Sequence, residues 1–124
     1  MAGGAVIVAG FGFRASANVE SLADALHRAG GSRIAAIATA EDKAGGPVFR
    51  ALAERLAVPL RAIPAEALAA METPTRSPAS LAARRLGSLA EAAALAAAGP
   101  NPRLLGARAI SGDRLATCAL AQGE

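Results

Sequence analysis

The first part of the chain alternates between short apolar runs and segments with helical periodicity. An apolar run over residues 5–9 predicts a strand buried on both faces, which we expect to end in a tight turn at Gly10-Phe11-Gly12. Ser16 is a candidate N-cap, and apolar residues then recur at helical spacing over residues 19–29 until Gly30-Gly31 ends the helix. The first unit is therefore a strand followed by a helix.

The same alternation of strand and helix continues as far as residue 71. Residues 34–39 predict a second buried strand, and Pro47 is suited to open the helix that follows. The apolar face of that helix consists of Val48, Leu52 and Leu56. Residues 60–63 predict a short third strand, followed by a helix over residues 65–71.

The next segment begins with a change in composition and then returns to helix. Residues 73–78 have the composition of a loop, and residues 81–86 are weakly helical. Ser88 and Glu91 have the spacing of a capping box, which predicts the start of an alanine-rich helix that ends at Gly99-Pro100.

The last segment predicts a hairpin. Residues 104–110 and 115–120 are suited to pair across the turn residues Ser111-Gly112-Asp113. Together the elements predict a single three-layer α/β domain over residues 1–124, with a mostly parallel sheet flanked by helices and an antiparallel hairpin at the carboxy-terminal edge.

Composition narrows the setting in which the protein works. The hydrophobic fraction of 53% is dominated by alanine, and the apolar runs are shorter than the roughly 18 residues that cross a bilayer. The amino terminus enters the first strand without a basic leader, so we expect a cytoplasmic protein. The one cysteine, Cys118, lies in an apolar run and is predicted to be a core residue.

The net charge of +3 allows acidic partners, but the basic residues are scattered. Trp and Tyr are absent and there are three Phe residues, so stacking platforms for single-stranded nucleic acid are hard to build. We therefore expect no nucleic acid partner and favour a small molecule with several carboxylates.

Three segments should meet at the carboxyl edge of the predicted sheet, where open α/β sheets bind ligands. They are residues 10–16, residues 39–43 and the helix start at Gly87-Ser88. The candidate ligand-binding residues in these segments are Gly10, Phe11, Gly12, Phe13, Arg14, Thr39, Glu41, Asp42, Lys43 and Ser88.

Lys43 differs from the other basic residues of the chain. It is the only lysine beside twelve arginines. Because an ammonium is a compact donor and guanidinium is wide and planar, the two cations are not equivalent at a tight site. Lys43 is therefore a candidate site residue, and the alternative is a chance surface lysine.

Other site chemistries find weaker support. Gly10, Gly12 and Ala15 match the loose dinucleotide-binding pattern G-x-G-x-x-[GA]. Glu41 or Asp42 would then be the acid that binds the ribose. Both lie farther from the glycines than the usual spacing of about 20 residues. A P-loop lysine followed by Ser or Thr is absent, and one cysteine and one histidine do not supply a common metal site. We predict no cofactor and no metal.

The serines and the histidine also have simpler structural interpretations. Ser16 and Ser88 are predicted helix caps and Ser111 a turn residue, since none has a histidine beside it to activate a nucleophile. His27 is predicted to be an exposed imidazole near the end of the first helix.

Several of these features resemble a known family when taken in order. They are the opening at residues 6–14, residues 37–39 with Lys43, Pro59-Leu60, the cap at residues 87–93, and the terminal hairpin with Leu104, Leu105, Arg108, Ser111 and Gly112. In this order they resemble the CobE and CbiG C-terminal family of cobalamin (vitamin B12) biosynthesis, over nearly the whole chain. Residues 15–18 depart from it, because family members often carry a more polar or basic run there.

The resemblance implies that the ligand is a precorrin or corrin intermediate, whose acetate and propionate carboxylates surround an apolar macrocycle. It implies that Arg14, Lys43 and Arg108 pair with carboxylates and that Phe11 and Phe13 contact the ring.

The family also implies two possible activities. Its long members carry an added amino-terminal region and open the lactone of a cobalt-precorrin, whereas this chain resembles the short CobE-like form. We expect it to bind an intermediate or assist its conversion, with another pathway enzyme as a partner and the oligomeric state left open. Hydrolase-like catalysis is the alternative, and the clustered titratable groups for it are Glu41, Asp42 and Lys43.

Overall fold

The computed structural model describes residues 6–31, 33–71, 73 and 88–123. The strands in these residues are β1 (Val6–Phe13), β2 (Ala36–Ala40), β3 (Leu60–Ile63), β4 (Arg103–Leu104), β5 (Ala109–Ile110) and β6 (Ala116–Gly123). The helices are α1 (Val19–Ala29), α2 (Glu41–Ala44), α3 (Pro47–Leu56), α4 (Ala65–Ala69) and α5 (Leu89–Ala97). Apart from Thr73, the loop predicted over residues 73–78 and the weak helix over residues 81–86 lie outside the described residues, as does Gly87.

The strands form one mixed sheet in the order β3-β2-β1-β6-β4, and β5 also pairs with β6. β1 is parallel to β2, and β2 is parallel to β3. On its other side β1 pairs with β6 in antiparallel register, from Val6 opposite Gly123 to Phe13 opposite Ala116. The predicted α/β class with an antiparallel edge is confirmed, and β6 lies inside the sheet rather than at its margin.

Helices cover both faces of this sheet. On one face α1 and α3 pack on Ala9, Phe11 and Ile37. On the other face α4 and α5 pack on alternate strand residues such as Val8 and Ala38. The predicted three-layer arrangement is therefore confirmed, because successive strand side chains point to opposite faces and each face is covered by helices.

Gly10-Phe11-Gly12 is not a turn, contrary to the prediction. These residues continue β1 as far as Phe13, because β6 pairs with them along their whole length. The glycine signal has a different origin: a Cβ on Gly10 would lie 2.1 Å from the carbonyl oxygen of Ala90 in α5. Gly10 thus allows the helix backbone to approach the strand closely.

The start of α1 also differs from the prediction. Asn18 is the N-cap instead of Ser16: its Oδ1 accepts the Ser21 N–H at 3.0 Å, and the Ser21 Oγ accepts the Asn18 N–H at 3.2 Å. Ser16 is exposed in the preceding turn. The two side chains form a reciprocal capping box whose second member is a serine in place of the usual Glu or Gln.

Other element boundaries follow the local signals. Gly30 ends α1 in the left-handed region at φ 85, Pro47 is the first residue of α3, and β3 occupies the predicted positions. Cys118 is fully buried in β6, and burial raises the pKa of its thiol. The described residues contain no helix long and apolar enough to cross a membrane.

Candidate functional site

The carboxyl edge of β1 and β2 brings together the segments expected to form the site. β1 ends at Phe13, and α2 follows β2 directly. α5 begins beside the same end of β1, since a Cβ on Gly12 would lie 3.5 Å from the Cβ of Leu89. Arg14, Lys43 and Ser88 therefore lie at one edge of the sheet.

Lys43 is held against the end of β1. Its Nζ donates a hydrogen bond to the carbonyl oxygen of Phe13 at 2.6 Å and lies 4.8 Å from the centroid of the Phe13 ring. That ring stacks on Phe49 of α3, with centroids 5.9 Å apart and planes 12° apart. Lys43 is half-buried, and its ammonium has a defined position directly beside the peptide bond that joins Phe13 to Arg14.

Phe11 and Thr39 hold the two strands together and do not face a ligand. The Thr39 Oγ1 donates to the carbonyl oxygen of Phe11 at 2.8 Å, and both residues are fully buried. The Phe11 ring packs edge-on against Phe49 at 5.8 Å. The expectation that Phe11 contacts a macrocycle is therefore wrong, because its ring belongs to the core between β1 and α3.

The glycines of the same segment are also structural. Gly10 is buried against α5, and the carbonyl oxygen of Gly12 accepts a hydrogen bond from Thr117 Oγ1 at 3.3 Å. Because both lie within a strand rather than in a loop before a helix, the dinucleotide-binding interpretation of Gly10, Gly12 and Ala15 loses its structural basis.

Arg14, Glu41 and Asp42 are exposed at this edge. The Arg14 N–H donates to the carbonyl oxygen of Leu115 at 2.9 Å, and its guanidinium makes no hydrogen bond or ion pair with the described residues. Glu41 and Asp42 occupy the first turn of α2. Glu41 also lines an open depression of about 460 Å³ that extends past Arg50 to Leu60 of β3.

Ser88 and Arg108 are linked through Glu91 in the first turn of α5. The fully buried Ser88 accepts the Glu91 N–H on its Oγ at 3.3 Å, which confirms its predicted capping role. The Glu91 carboxylate is also fully buried, and it accepts the backbone N–H of Arg108 at 2.9 Å. The Ser88 hydroxyl is thus a helix cap, and Arg108 is anchored beside the first turn of α5.

A polar cluster at the start of α1 has no counterpart among the residues predicted from the sequence. Asp113 accepts hydrogen bonds from the hydroxyls of Ser111 and Ser21, each at 2.6 Å, and from the Leu115 N–H at 3.0 Å. These bonds, led by the one from Ser111, hold the pKa of Asp113 below its ordinary value. The turn residues were recognised in the sequence, but Ser21 lies 92 positions away and no local signal connects it to Asp113.

Asp24 of α1 joins the same cluster from its other side. Its Oδ2 accepts the Gly112 N–H at 2.7 Å and pairs with the Arg28 guanidinium at 2.8 Å. The Gly112 N–H and then Arg28 hold the pKa of Asp24 below its ordinary value. The described residues contain no group of three or more metal-binding side chains, in this cluster or elsewhere.

Comparison with known proteins gives a consistent result. The chain matches the family model for the cobalamin synthesis G C-terminus over residues 7–121. Its structure is similar to the crystal structure of CobE, a protein from the cobalamin biosynthetic pathway, with a TM-score of 0.86 and 32% sequence identity. The alignment covers 95% of this chain and 90% of that one. No curated protein sequence matches the chain.

Two further solved structures are similar to the chain. The cobalamin biosynthesis protein ChiG of Agrobacterium tumefaciens is 32% identical, with a TM-score of 0.73 and coverage of 96% of this chain and 99% of that one. A structure from Sulfolobus solfataricus, described as a putative cobalamin biosynthesis protein G homolog, has a TM-score of 0.71 and 22% sequence identity. The alignment covers 97% of this chain and 37% of that one, and at this identity it shows the fold alone. The chain therefore belongs to the cobalamin synthesis G C-terminus family and is a cobalamin biosynthesis protein of the CobE and CbiG type.

Proposed function

We propose that this protein binds an anionic precorrin or corrin intermediate at the carboxyl edge of β1 and β2. The observation that carries the proposal is the fixed ammonium of Lys43, which lies over the Phe13 ring and next to the exposed Arg14. An ordered cation beside an unpaired guanidinium is suited to a ligand with several carboxylates, because charge-assisted hydrogen bonds are the strongest that such a ligand can form.

The shape and charge of these intermediates fit the same edge. Their acetate and propionate groups surround an apolar macrocycle, so binding requires spaced cations together with an apolar contact. Arg14 and Lys43 would supply the cations, Arg108 would add a third beside α5, and the half-buried Phe13 would supply apolar area. Phe11 and Thr39 have no part in this site, because they are buried.

Binding or assistance agrees better with this edge than catalysis does. A general acid or base usually lies in a pocket that excludes water and shifts its protonation. Glu41 and Asp42 lie in the first turn of α2 and are exposed at an open edge of the sheet. We therefore assign the protein a binding or transfer role in the cytoplasm, with another pathway enzyme as the recipient, ahead of hydrolase-like activity.

The experiment compares variants of Lys43 for binding to two coloured tetrapyrroles with free carboxylates, uroporphyrin and the corrin hydrogenobyrinic acid. Lys43→Ala should weaken binding by about 1.5 to 3 kcal/mol, the range for a hydrogen bond to a charged group, which corresponds to roughly 10- to 150-fold in Kd. The free energy of unfolding should also fall, by about 1 to 3 kcal/mol, since the variant loses the cation–π contact with the Phe13 ring and the hydrogen bond from Nζ to the Phe13 carbonyl oxygen.

Two further variants complete the comparison. Lys43→Arg should restore binding if charge alone is required and should not if the compact ammonium is needed. Arg33→Ala is the control, because Arg33 is exposed just before β2, at the opposite edge of the sheet. If Lys43→Ala binds both tetrapyrroles as tightly as Arg33→Ala and the unmodified protein, the proposed site is wrong. Spectral conversion over many turnovers would favour the enzymatic alternative over the binding role.

A further inference from the structure

Arg114 adopts a backbone conformation that arginine seldom takes. It lies in the turn between β5 and β6 with φ 64, in the left-handed region. A side chain with a Cβ is disfavoured there, and Gly or Asn is the usual occupant. Strained residues of this kind cluster at functional sites, where the surrounding structure holds them in place.

The other polar residues of this turn have structural roles. Ser111 donates through its hydroxyl to Asp113 and accepts the Ala116 N–H, while Asp113 accepts from Ser21. Arg114 contributes its backbone N–H to Ser111 O at 2.9 Å. Its guanidinium, which is exposed, makes no hydrogen bond or ion pair with the described residues.

The turn places Arg114 next to Arg14. Phe13 is opposite Ala116 in the sheet, and the Arg14 N–H donates to the carbonyl oxygen of Leu115, the residue after Arg114. The exposed residues Arg14 and Arg114 therefore lie at the same end of the paired strands β1 and β6. The nearby carboxylates form no ion pair with them among the described residues: Asp113 accepts hydrogen bonds from Ser111 and Ser21, and Asp24 is bound to Gly112 and Arg28.

We propose that Arg114 is a further ligand-binding residue, which pairs with a peripheral carboxylate of the same tetrapyrrole as Arg14 and Lys43. This inference rests on the proposed function. Guanidinium can hold a carboxylate through two parallel hydrogen bonds, so one arginine just after β1 and one just before β6 can engage neighbouring acetate and propionate groups. Glycine at this position would relieve the backbone strain but would remove the cation.

The proposal predicts that stability and binding change in opposite directions. Arg114→Gly should raise the melting temperature, because glycine adopts positive φ without strain. The same variant should weaken binding of hydrogenobyrinic acid and uroporphyrin by about tenfold or more, as expected for loss of a charge-assisted contact. Arg114→Asn, which tolerates the same backbone, should match it in binding, and Arg33→Ala again controls for net charge.

The outcomes separate this inference from the proposed function. If the unmodified protein binds both tetrapyrroles and Arg114→Gly binds them equally well, Arg114 is a surface residue and only this inference fails. If Arg114→Gly and Arg114→Asn lose affinity no more than Arg33→Ala does, the effect is net charge and the inference also fails. If the unmodified protein binds neither ligand, the proposed function fails and this inference falls with it.

Discussion

Gly10 shows how one missing Cβ sets the distance between a strand and a helix. It lies in the middle of β1, where a Cβ would be within 2.1 Å of Ala90 O and 2.4 Å of Ala94 N. Neither atom can move aside, because both belong to the backbone of α5. The close approach brings the start of α5 to the carboxyl edge, so a core glycine helps to place the candidate site.

Gly10→Ala should therefore destabilise the fold. Overpacking of a tight core costs about 1 to 3 kcal/mol and occasionally more, and the rigid neighbours here favour the upper part of that range. Gly45→Ala is the matched control, since an added Cβ there meets nothing within 4 Å and the residue has φ −82. Urea unfolding of both variants tests this expectation, and equal midpoints would show that α5 can move away from β1.

Single residues were only partly predictable from the sequence. Lys43 is a predicted site residue because it is the only lysine in the chain, and the structure places its ammonium against the carbonyl oxygen and ring of Phe13. Phe11 was expected at the site because it follows the first apolar run, yet it packs in the core. The difference between Phe11 and Phe13 depends on where β1 ends, and that boundary is set by pairing with a strand more than 100 positions away, as in the Phe11 and Cys118 pair.

At the scale of elements, α1 and the turn before β6 are joined by carboxylates. Asp113 is bound by the hydroxyl of Ser21 in α1, and Asp24 of α1 is bound by the N–H of Gly112 in the turn. These two reciprocal contacts hold the first helix against the hairpin. Since both elements flank Arg14, they also fix the margin of the candidate site.

Stability should consequently fall in acid. The pKa values of Asp113 and Asp24 are lower in the folded protein than their ordinary values, so these carboxylates stabilise the fold above about pH 4, the value near which free Asp titrates. That contribution is lost as pH decreases through the lowered folded values, when the unfolded state binds more protons.

The measurement is the urea midpoint between neutral pH and about pH 3, below the ordinary pKa of Asp. Asp113→Asn should be less stable at neutral pH and should show a smaller decrease in acid than the unmodified protein. Glu54→Gln is the control, because Glu54 is exposed on α3, away from this cluster. Identical pH profiles for Asp113→Asn and the unmodified protein would contradict the assigned role of Asp113.

Elements with local start and stop signals were predicted well. Pro47, Gly30 and the proline-bounded third strand each depend on the conformational preferences of one or two residues. Ser16 failed as a cap because several small polar residues precede α1, and the choice among them depends on the partner at Ser21. Local patterns fix that a helix starts there but not which residue caps it.

At the scale of the molecule, the order of strands and helices predicted the layers but not the neighbours of every strand. Alternating strands and helices indicate parallel pairing with helices on both faces, and the sheet has this arrangement from β1 to β3. The insertion of β6 between β1 and β4 required knowledge of long-range pairing. This pairing is what brings Arg114 beside Arg14, and so the full set of cations at this edge could not be predicted from the sequence.

The cations at the carboxyl edge of the sheet should make ligand binding depend on salt. If Arg14, Lys43 and Arg114 act together on ligand carboxylates, affinity should decrease as ionic strength rises, because the screening length falls from about 10 Å at 0.1 M to about 3 Å at 1 M. Folding depends mainly on apolar burial, so the urea midpoint should change less over the same range. Removal of one cation in Lys43→Ala or Arg114→Gly should also reduce the slope of log Kd against log salt, while Arg33→Ala should leave that slope unchanged. Titrations of hydrogenobyrinic acid at several salt concentrations measure these slopes, and binding that does not depend on salt would show that the cations at this edge do not hold the ligand.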